Sequence, residues 1–164
     1  MFPKELLSKA EALLENYRRA GLTVVTAESC TGGLIGACLT EIAGSSDVVE
    51  RGFITYSNEA KTDVLGVSVG LIAAHGAVSA EVVLAMAEGA LARSSADAAV
   101  AVTGIAGPGG GTVEKPVGLV FLGAARRGEK PLAEHHVFPG DRHAVRLATV
   151  DAALDLLARI AEKG

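Results

Sequence analysis

The chain has 164 residues, of which 49% are hydrophobic and 4% aromatic, and its formal net charge is −4. The mild acidity and the scattered basic residues argue against a nucleic-acid surface, so we expect no nucleic-acid partner. No apolar run approaches the roughly 20 residues of a membrane span and the chain start lacks a secretory signal, so we expect a soluble, cytoplasmic protein with no membrane partner.

The first half of the chain is predicted to form a helix and then a βαβ unit. Leucines and alanines at helical spacing predict an amphipathic helix over residues 3–19, and Gly21 follows as its stop. A short buried strand is predicted over residues 23–27, a helix over 32–40 and a second strand over 52–57. A helical turn is expected around residues 58–65, followed by a loop.

The second half combines a buried strand, a hairpin and a closing helix. Ser79 can cap an Ala-rich helix that runs to about Arg93. Residues 98–103 are apolar, as in parallel strands covered on both faces, and a glycine-rich loop over 104–111 follows them. Strands over 117–125 and 132–138, turned at 127–129, and a helix over 141–162 complete the chain.

These elements predict an α/β fold, a three-layer α/β/α sandwich on a mixed, mostly parallel sheet. A chain of this length is typical of one core, so we expect residues 1–164 to form one domain, with the helix in residues 1–20 packed on it. The functional residues are then expected on loops at the ends of the strands.

Ser29 lies where a predicted strand passes into a helix. The first amides of that helix can surround whatever the hydroxyl touches, so such a turn can hold a nucleophile and an oxyanion together. The alternative is that Ser29 or Thr31 only caps the helix. Glu28 and Cys30 replace the small residues of the G-x-S-x-G nucleophile elbow, and the four histidines stand beside no motif. A Ser-His-Asp triad therefore has little support.

Lys61 and Tyr56 follow the second predicted strand and so reach the same sheet edge as Ser29. Serine, lysine and tyrosine can form one proton path. A lysine can accept a proton only if desolvation lowers its pKa enough to give a neutral fraction. The alternative is a solvated surface lysine.

Two further features suit a small anionic ligand. The loop over residues 103–111 follows a strand end, contains neither a Walker sequence nor a dinucleotide fingerprint, and can offer a backbone wall to a flat ring or form a plain turn. Arg142 and Arg146 lie one turn apart near a helix start, which suits a phosphate, although an Asp141 cap followed by exposed arginines is the alternative. Cys30 and Cys38 match no metal-ligand spacing, so no metal is expected.

A series of sequence motifs lies within residues 23–159. They are AESCTGG from Ala27, GSS from Gly44, RGFITYSNEAK from Arg51, HGAVS from His75, TGIAGP from Thr103, KPVG from Lys115 and GDR from Gly140. Together they resemble the C-terminal domain family of the competence/damage-inducible protein CinA, whose stand-alone members are nicotinamide-nucleotide amidohydrolases. The larger N-terminal domain of many members has no counterpart in these 164 residues, so none of its activity is expected.

The resemblance implies hydrolysis of nicotinamide mononucleotide (NMN) to nicotinic acid mononucleotide and ammonia, in pyridine nucleotide salvage, with no metal or organic cofactor. Ser29 would be the nucleophile, Lys61 the base and Tyr56 an orienting or relaying group, so that the reaction passes through an acyl-enzyme. Backbone amides near residues 30–32 are expected to hold the oxyanion. The expected substrate-binding residues are Cys30, Thr31, Gly32, Gly33, Asn58, Thr103, Gly104, Gly107, Arg142 and Arg146, with the ring near Thr103 and Gly104 and the phosphate at the two arginines.

Other hypotheses stay open. The chain can act on a different small anionic amide, use Cys30 as the nucleophile, or be a non-catalytic nucleotide-binding or partner-recruiting domain that binds without turnover. The joint presence of Ser29, Tyr56 and Lys61 opposes the last of these, because binding alone needs no serine-lysine pair. The Ala-rich helix over residues 79–93 can pack against a second copy, so a homo-oligomer is expected.

Overall fold

A five-stranded mixed sheet organises residues 1–162, the part of the chain that the computed structural model describes. The strand order is β2-β1-β3-β4-β5, with β1 parallel to β2 and β3, and β4 antiparallel to β3 and β5. Every strand except β4 therefore points in one direction, which confirms the predicted mixed, mostly parallel sheet. The strands are β1 (Val24–Glu28), β2 (Val49–Ile54), β3 (Ala98–Gly104), β4 (Leu119–Arg126) and β5 (Leu132–Val137).

Helices cover both faces of this sheet. Side chains of a strand alternate between its faces, so Val100 and Val102 pack with α1, α2 and α6, whereas Ala99 and Ala101 pack with α5 and its neighbours. This arrangement confirms the predicted three-layer α/β/α sandwich. The helices are α1 (Lys4–Ala20), α2 (Leu34–Thr40), α3 (Asn58–Leu65), α4 (Val69–His75), α5 (Ala80–Ala92) and α6 (Arg142–Ala161), and a 3-10 turn lies at Ser45–Asp47.

Most predicted elements lie within a few residues of the observed ones, and side-chain caps fix several helix starts. Ser79 accepts the amide of Val82 at 3.3 Å, and Asp141 accepts the amide of Ala144 at 2.9 Å. The prediction was wrong at α4, where a loop was expected. Ser68 caps α4, but its seven residues include a glycine and are too few to show a helical period.

The Ala-rich helix expected to pack against a second copy uses its apolar face inside the chain. Met86, Ala87 and Ala90 of α5 are fully buried in the core between this helix and the sheet. The homo-oligomer expectation loses this support and stays a prediction. Among residues 1–162, none of the helices is long and apolar enough to cross a membrane.

The parallel strands end together at one edge of the sheet. β1 ends at Glu28, β2 at Ile54 and β3 at Gly104, and each strand passes directly into a segment that carries a sequence motif. Open α/β sheets bind ligands beyond such strand ends. The fold therefore brings these motif segments together at the carboxyl edge of the sheet.

Candidate active site

Ser29 and Lys61 meet at this edge, with Lys61 Nζ 3.0 Å from Ser29 Oγ. Ser29 is the residue after β1, and its amide donates to the carbonyl of Val102 in β3 at 3.1 Å. Lys61 lies in the first turn of α3, which Ser57 caps, and only 1% of the lysine is exposed. The two residues form a buried hydrogen-bonded pair, so Lys61 is not a solvated surface lysine.

Backbone carbonyls surround the Lys61 amine. Nζ donates to the carbonyl oxygens of Thr55 at 3.0 Å and Tyr56 at 3.1 Å, and it lies 3.5 Å from that of Ser57. Burial lowers the pKa of Lys61 because desolvation disfavours the ammonium form, and a smaller effect of Cys30 opposes this. A neutral amine has two N–H donors and one lone pair. Nζ donates to Ser29 Oγ in the charged form; in the neutral form the two shorter carbonyl contacts can use both donors, so that the Ser29 hydroxyl donates to the lone pair instead.

Tyr56 contributes to this pair through its backbone. Its carbonyl accepts from Lys61, whereas its phenol accepts a hydrogen bond from Arg142 Nη2 at 2.9 Å. The residue as a whole is 59% exposed. In the described part of the chain, no hydrogen bond joins the phenol to Ser29 or Lys61. The structure therefore does not place the phenol on a proton path between serine and lysine.

The Ser29–Lys61 pair opens into a cavity of about 280 Å³. The cavity gathers all three predicted catalytic residues, Ser29, Tyr56 and Lys61, and six of the predicted substrate-binding residues, Cys30, Asn58, Thr103, Gly104, Gly107 and Arg142. Sequence reasoning missed Ala77 and Val78, which precede α5 and close one side. Four predicted substrate-binding residues do not line the cavity: Thr31, Gly32, Gly33 and Arg146.

The glycine-rich loop after β3 forms a backbone wall of the cavity, as the sequence predicts. A Cβ added to Gly104 would come within 2.6 Å of Val120, and one added to Gly107, whose φ is +89°, within 2.6 Å of Val117. Both positions therefore require glycine. Thr103 donates its hydroxyl hydrogen to the carbonyl of Ala77 at 3.0 Å, which leaves its oxygen able to accept.

Glu28 holds the turn that carries Ser29, a role that the sequence analysis did not assign. Only 1% of Glu28 is exposed, and its carboxylate accepts from the Thr31 hydroxyl at 2.5 Å. It also accepts the amides of Ile35 at 2.9 Å, Gly36 at 3.0 Å and Gly33 at 3.2 Å. The sequence signal for this role was an acidic residue directly before a predicted helix, because a carboxylate is favourable at a helix N-terminus.

Two of the amides expected to hold substrate are already engaged. Gly33 donates to Glu28, and the Gly32 amide donates to the carbonyl of Ser29 at 3.0 Å. Among the described residues, no oxygen atom accepts from the amides of Cys30 and Thr31. Thr31 is fully buried and does not line the cavity, so the turn offers the amide of Cys30, and not those of residues 31–33, to an oxyanion.

The two arginines of the last helix have different targets. Arg142 lines the cavity and donates to the carbonyl of Gly107 at 2.8 Å and to the Tyr56 phenol, so two of its five N–H donors are used. Arg146 instead donates to the carbonyls of Cys30 at 3.1 Å and Thr31 at 3.0 Å. Its guanidinium lies against the turn and Arg146 does not line the cavity, so this geometry does not support the expected phosphate contact.

Metal ligands and histidines play no part in the observed cavity. Among residues 1–162, no group of three or more His, Cys, Asp and Glu side chains could hold a metal ion. None of the histidines is among the residues that line the cavity. Lys61 is therefore the amine or imidazole base that lies in contact with Ser29.

Comparison with known proteins gives a family and several close structures. The model of the CinA C-terminal domain family matches residues 7–161. The crystal structure of competence/damage inducible protein CihA from Agrobacterium tumefaciens superimposes with a TM-score of 0.97 at 51% identity, covering 99% of both chains.

Curated relatives fall into two lengths. The nicotinamide-nucleotide amidohydrolase PncC of Escherichia coli strain K12 is 48% identical over 96% of this chain and 95% of its own length. A CinA-like protein of Mycolicibacterium gilvum is 51% identical over 98% of this chain, but the match spans only 39% of that relative. The chain is thus similar to the whole of one relative and to less than half of the other.

Proposed function

Because this chain belongs to the CinA C-terminal domain family, we propose that it hydrolyses the carboxamide of NMN to nicotinic acid mononucleotide and ammonia. The observation that carries the proposal is the buried contact of 3.0 Å between Lys61 Nζ and Ser29 Oγ at the floor of a cavity. A nicotinamide-nucleotide amidohydrolase that is 48% identical over nearly its whole length supports this choice of substrate. The product belongs to pyridine nucleotide salvage.

The acylation step begins with neutral Lys61, which accepts the proton of the Ser29 hydroxyl as Oγ attacks the carboxamide carbon. The Oγ–C bond forms while the carbonyl π electrons move to oxygen. The tetrahedral intermediate then expels its nitrogen, which takes a proton from the Lys61 ammonium and leaves as ammonia. Ser29 is left as an ester of the nicotinate ring.

Deacylation uses the same groups in the same roles. Neutral Lys61 accepts a proton from water, the hydroxide oxygen bonds to the ester carbon, and the proton returns to Ser29 Oγ as the acyl bond breaks. The carbonyls of Thr55 and Tyr56 hold the amine through both steps, since each can accept one of its N–H groups. No metal or organic cofactor is needed for either step.

The oxyanion of both intermediates is assigned to the amide of Cys30. Preorganised backbone amides stabilise developing negative charge without reorganisation, and removal of one such donor costs about 10²–10³ in kcat in other hydrolases. The Cys30 amide follows the nucleophile directly, belongs to a residue that lines the cavity, and has no oxygen acceptor among the described residues.

Two features of the cavity are assigned to substrate binding: the glycine backbone wall and the Arg142 guanidinium. The backbone of Gly104 and Gly107 can lie against the nicotinamide ring, with Thr103 and Asn58 beside it. Arg142 has unused N–H donors at the cavity and is assigned to the phosphate. A phosphate grip remote from the amide lets the enzyme use binding energy to orient the reacting carbon.

Cys30 is less well placed than Ser29 to act as the nucleophile. Burial raises the pKa of the Cys30 thiol to about 11, chiefly because desolvation disfavours the thiolate. At pH 7 only about one such thiol in ten thousand is ionised. Almost no Cys30 thiolate is therefore present to attack a substrate. The hydroxyl that contacts Lys61 is that of Ser29.

Ammonia release by the purified chain tests the proposed function. The assay compares NMN, its dephosphorylated riboside and free nicotinamide, each with a chelator present. We expect turnover of NMN that the chelator does not change and that exceeds turnover of the other two. Tight binding of NMN without ammonia release would instead support the non-catalytic binding domain. Faster turnover of another amide would show that NMN is not the preferred substrate.

A further inference from the structure

We infer that Arg146 is a positioning residue that holds the turn after Ser29 so that the Cys30 amide stays available to the oxyanion. This inference rests on the proposed function for its chemistry. It gives a role to an arginine that does not line the cavity and whose hydrogen bonds within residues 1–162 go to the backbone of the Ser29 turn.

The two contacts act on consecutive carbonyls. Arg146 Nε donates to the carbonyl of Cys30 at 3.1 Å and Nη2 donates to that of Thr31 at 3.0 Å. A guanidinium is planar and offers its donors in a fixed fork, so one side chain sets the direction of both carbonyls. The two ends of this contact are more than a hundred residues apart in the chain.

The carbonyl direction fixes an amide direction. In a planar trans peptide the carbonyl oxygen and the following N–H point to opposite sides. Holding the Thr31 carbonyl toward Arg146 therefore points the Gly32 N–H away from Arg146, and that N–H donates to the Ser29 carbonyl at 3.0 Å. The peptide to which the Ser29 carbonyl belongs carries the Cys30 N–H. Rotation of this peptide would replace the Cys30 donor by the Ser29 carbonyl oxygen, which would repel the oxyanion.

The arginine itself is held by its helix. Its neighbours on α6, Val145 and Thr149, are fully buried in the described structure, and Thr149 Oγ1 donates to the Val145 carbonyl at 2.7 Å. Glu28 holds the opposite end of the same residue, since its carboxylate accepts from the Thr31 hydroxyl. Thr31 is thus fixed through its side chain by an anion and through its carbonyl by a cation.

The decisive experiment measures kcat and KM of Arg146→Ala with NMN, beside Arg159→Ala as a control. Arg159 lies on the same helix but pairs with Glu134, away from the cavity. We expect kcat of Arg146→Ala to fall about tenfold to a hundredfold with KM nearly unchanged, because oxyanion interactions form only in the transition state. Added guanidinium ion should restore part of kcat in this variant, and Arg159→Ala should behave like the wild type.

Two outcomes overturn the inference. A rise in KM for NMN with unchanged kcat, absent for the riboside, would make Arg146 a phosphate ligand. Wild-type kcat and KM together would leave it no role in the reaction. If Arg146→Ala does not fold, Arg146→Lys is measured instead, because a lysine lacks the planar fork. It should lower kcat more than KM changes, and wild-type kcat there would equally contradict the inference.

Amide hydrogen exchange separates this inference from the proposed function. In a variant that remains folded, the segment 29–33 should exchange faster than in the wild type, whereas Arg159→Ala should leave that segment unchanged. If wild-type protein releases no ammonia from NMN, the proposed function fails, but faster exchange in the Arg146 variant still supports the positioning role. Unchanged exchange in segment 29–33 would contradict it.

Discussion

Lys61 Nζ lies 3.0 Å from Ser29 Oγ although the two residues are 32 positions apart in the chain. The amine is also held by the Thr55 and Tyr56 carbonyls, so its position does not depend on the presence of substrate. A base fixed in this way avoids the entropic cost of being ordered during the reaction.

Replacement of Lys61 by arginine should lower kcat by about a hundredfold or more, because an arginine stays protonated and cannot accept the serine proton. Arginine is larger than the lysine, which is only 1% exposed, so Lys61→Met serves as a smaller matched variant without a base. Both are measured by ammonia release after thermal unfolding has confirmed that they fold. Near-normal kcat in either folded variant would exclude Lys61 as the base.

The pH dependence of kcat should report the protonation of Lys61. Burial lowers its pKa, and the neutral form is the active one, so kcat should rise with pH and level off above that pKa. The midpoint should lie below the ordinary lysine value of about 10.4. A kcat that is flat or falls with rising pH across this range would not fit a lysine base.

Removal of the Arg142 guanidinium should weaken capture of the phosphorylated substrate. Arg142→Ala is expected to raise KM for NMN, while its turnover of the dephosphorylated riboside stays close to that of the wild type. Steady-state kinetics on the two compounds provide the measurement. An equal loss on both would show that Arg142 does not read the phosphate.

Removal of the Tyr56 hydroxyl should leave the chemical step largely intact. The phenol contacts Arg142, and the lysine is held by the Tyr56 carbonyl, which a side-chain substitution retains. We expect Tyr56→Phe to keep kcat within a fewfold and to raise KM for NMN, since it frees the Arg142 side chain. A hundredfold loss of kcat would restore the hypothesis that the phenol relays the proton.

The sequence predicted the parts of the site that depend on strand ends and local spacing. Ser29 follows a buried strand and Lys61 follows the next one, so a parallel pair brings them to one edge whatever the details of packing. The glycine wall was predictable for the same reason, because Gly104 ends β3. Parallel pairing and burial thus determine where these residues lie.

The remaining features depend on tertiary contacts that no local pattern contains. Arg146 and Arg142 share a helix start, but the guanidinium of one reaches the turn carbonyls and that of the other reaches the cavity. The Tyr56 spacing alone cannot indicate that the backbone, and not the phenol, holds the lysine. Glu28 resembles an ordinary polar residue until the amides of α2 are placed around its carboxylate.

Ser29 is the proposed nucleophile, and the sharpest test of this role is ammonia release from NMN by Ser29→Ala, with NMN binding measured on the same sample. The substitution removes one hydroxyl at a turn that Glu28 and Arg146 hold through other atoms. We predict that turnover is lost while the fold and the NMN affinity stay close to those of the wild type. Wild-type turnover by Ser29→Ala would contradict the serine mechanism.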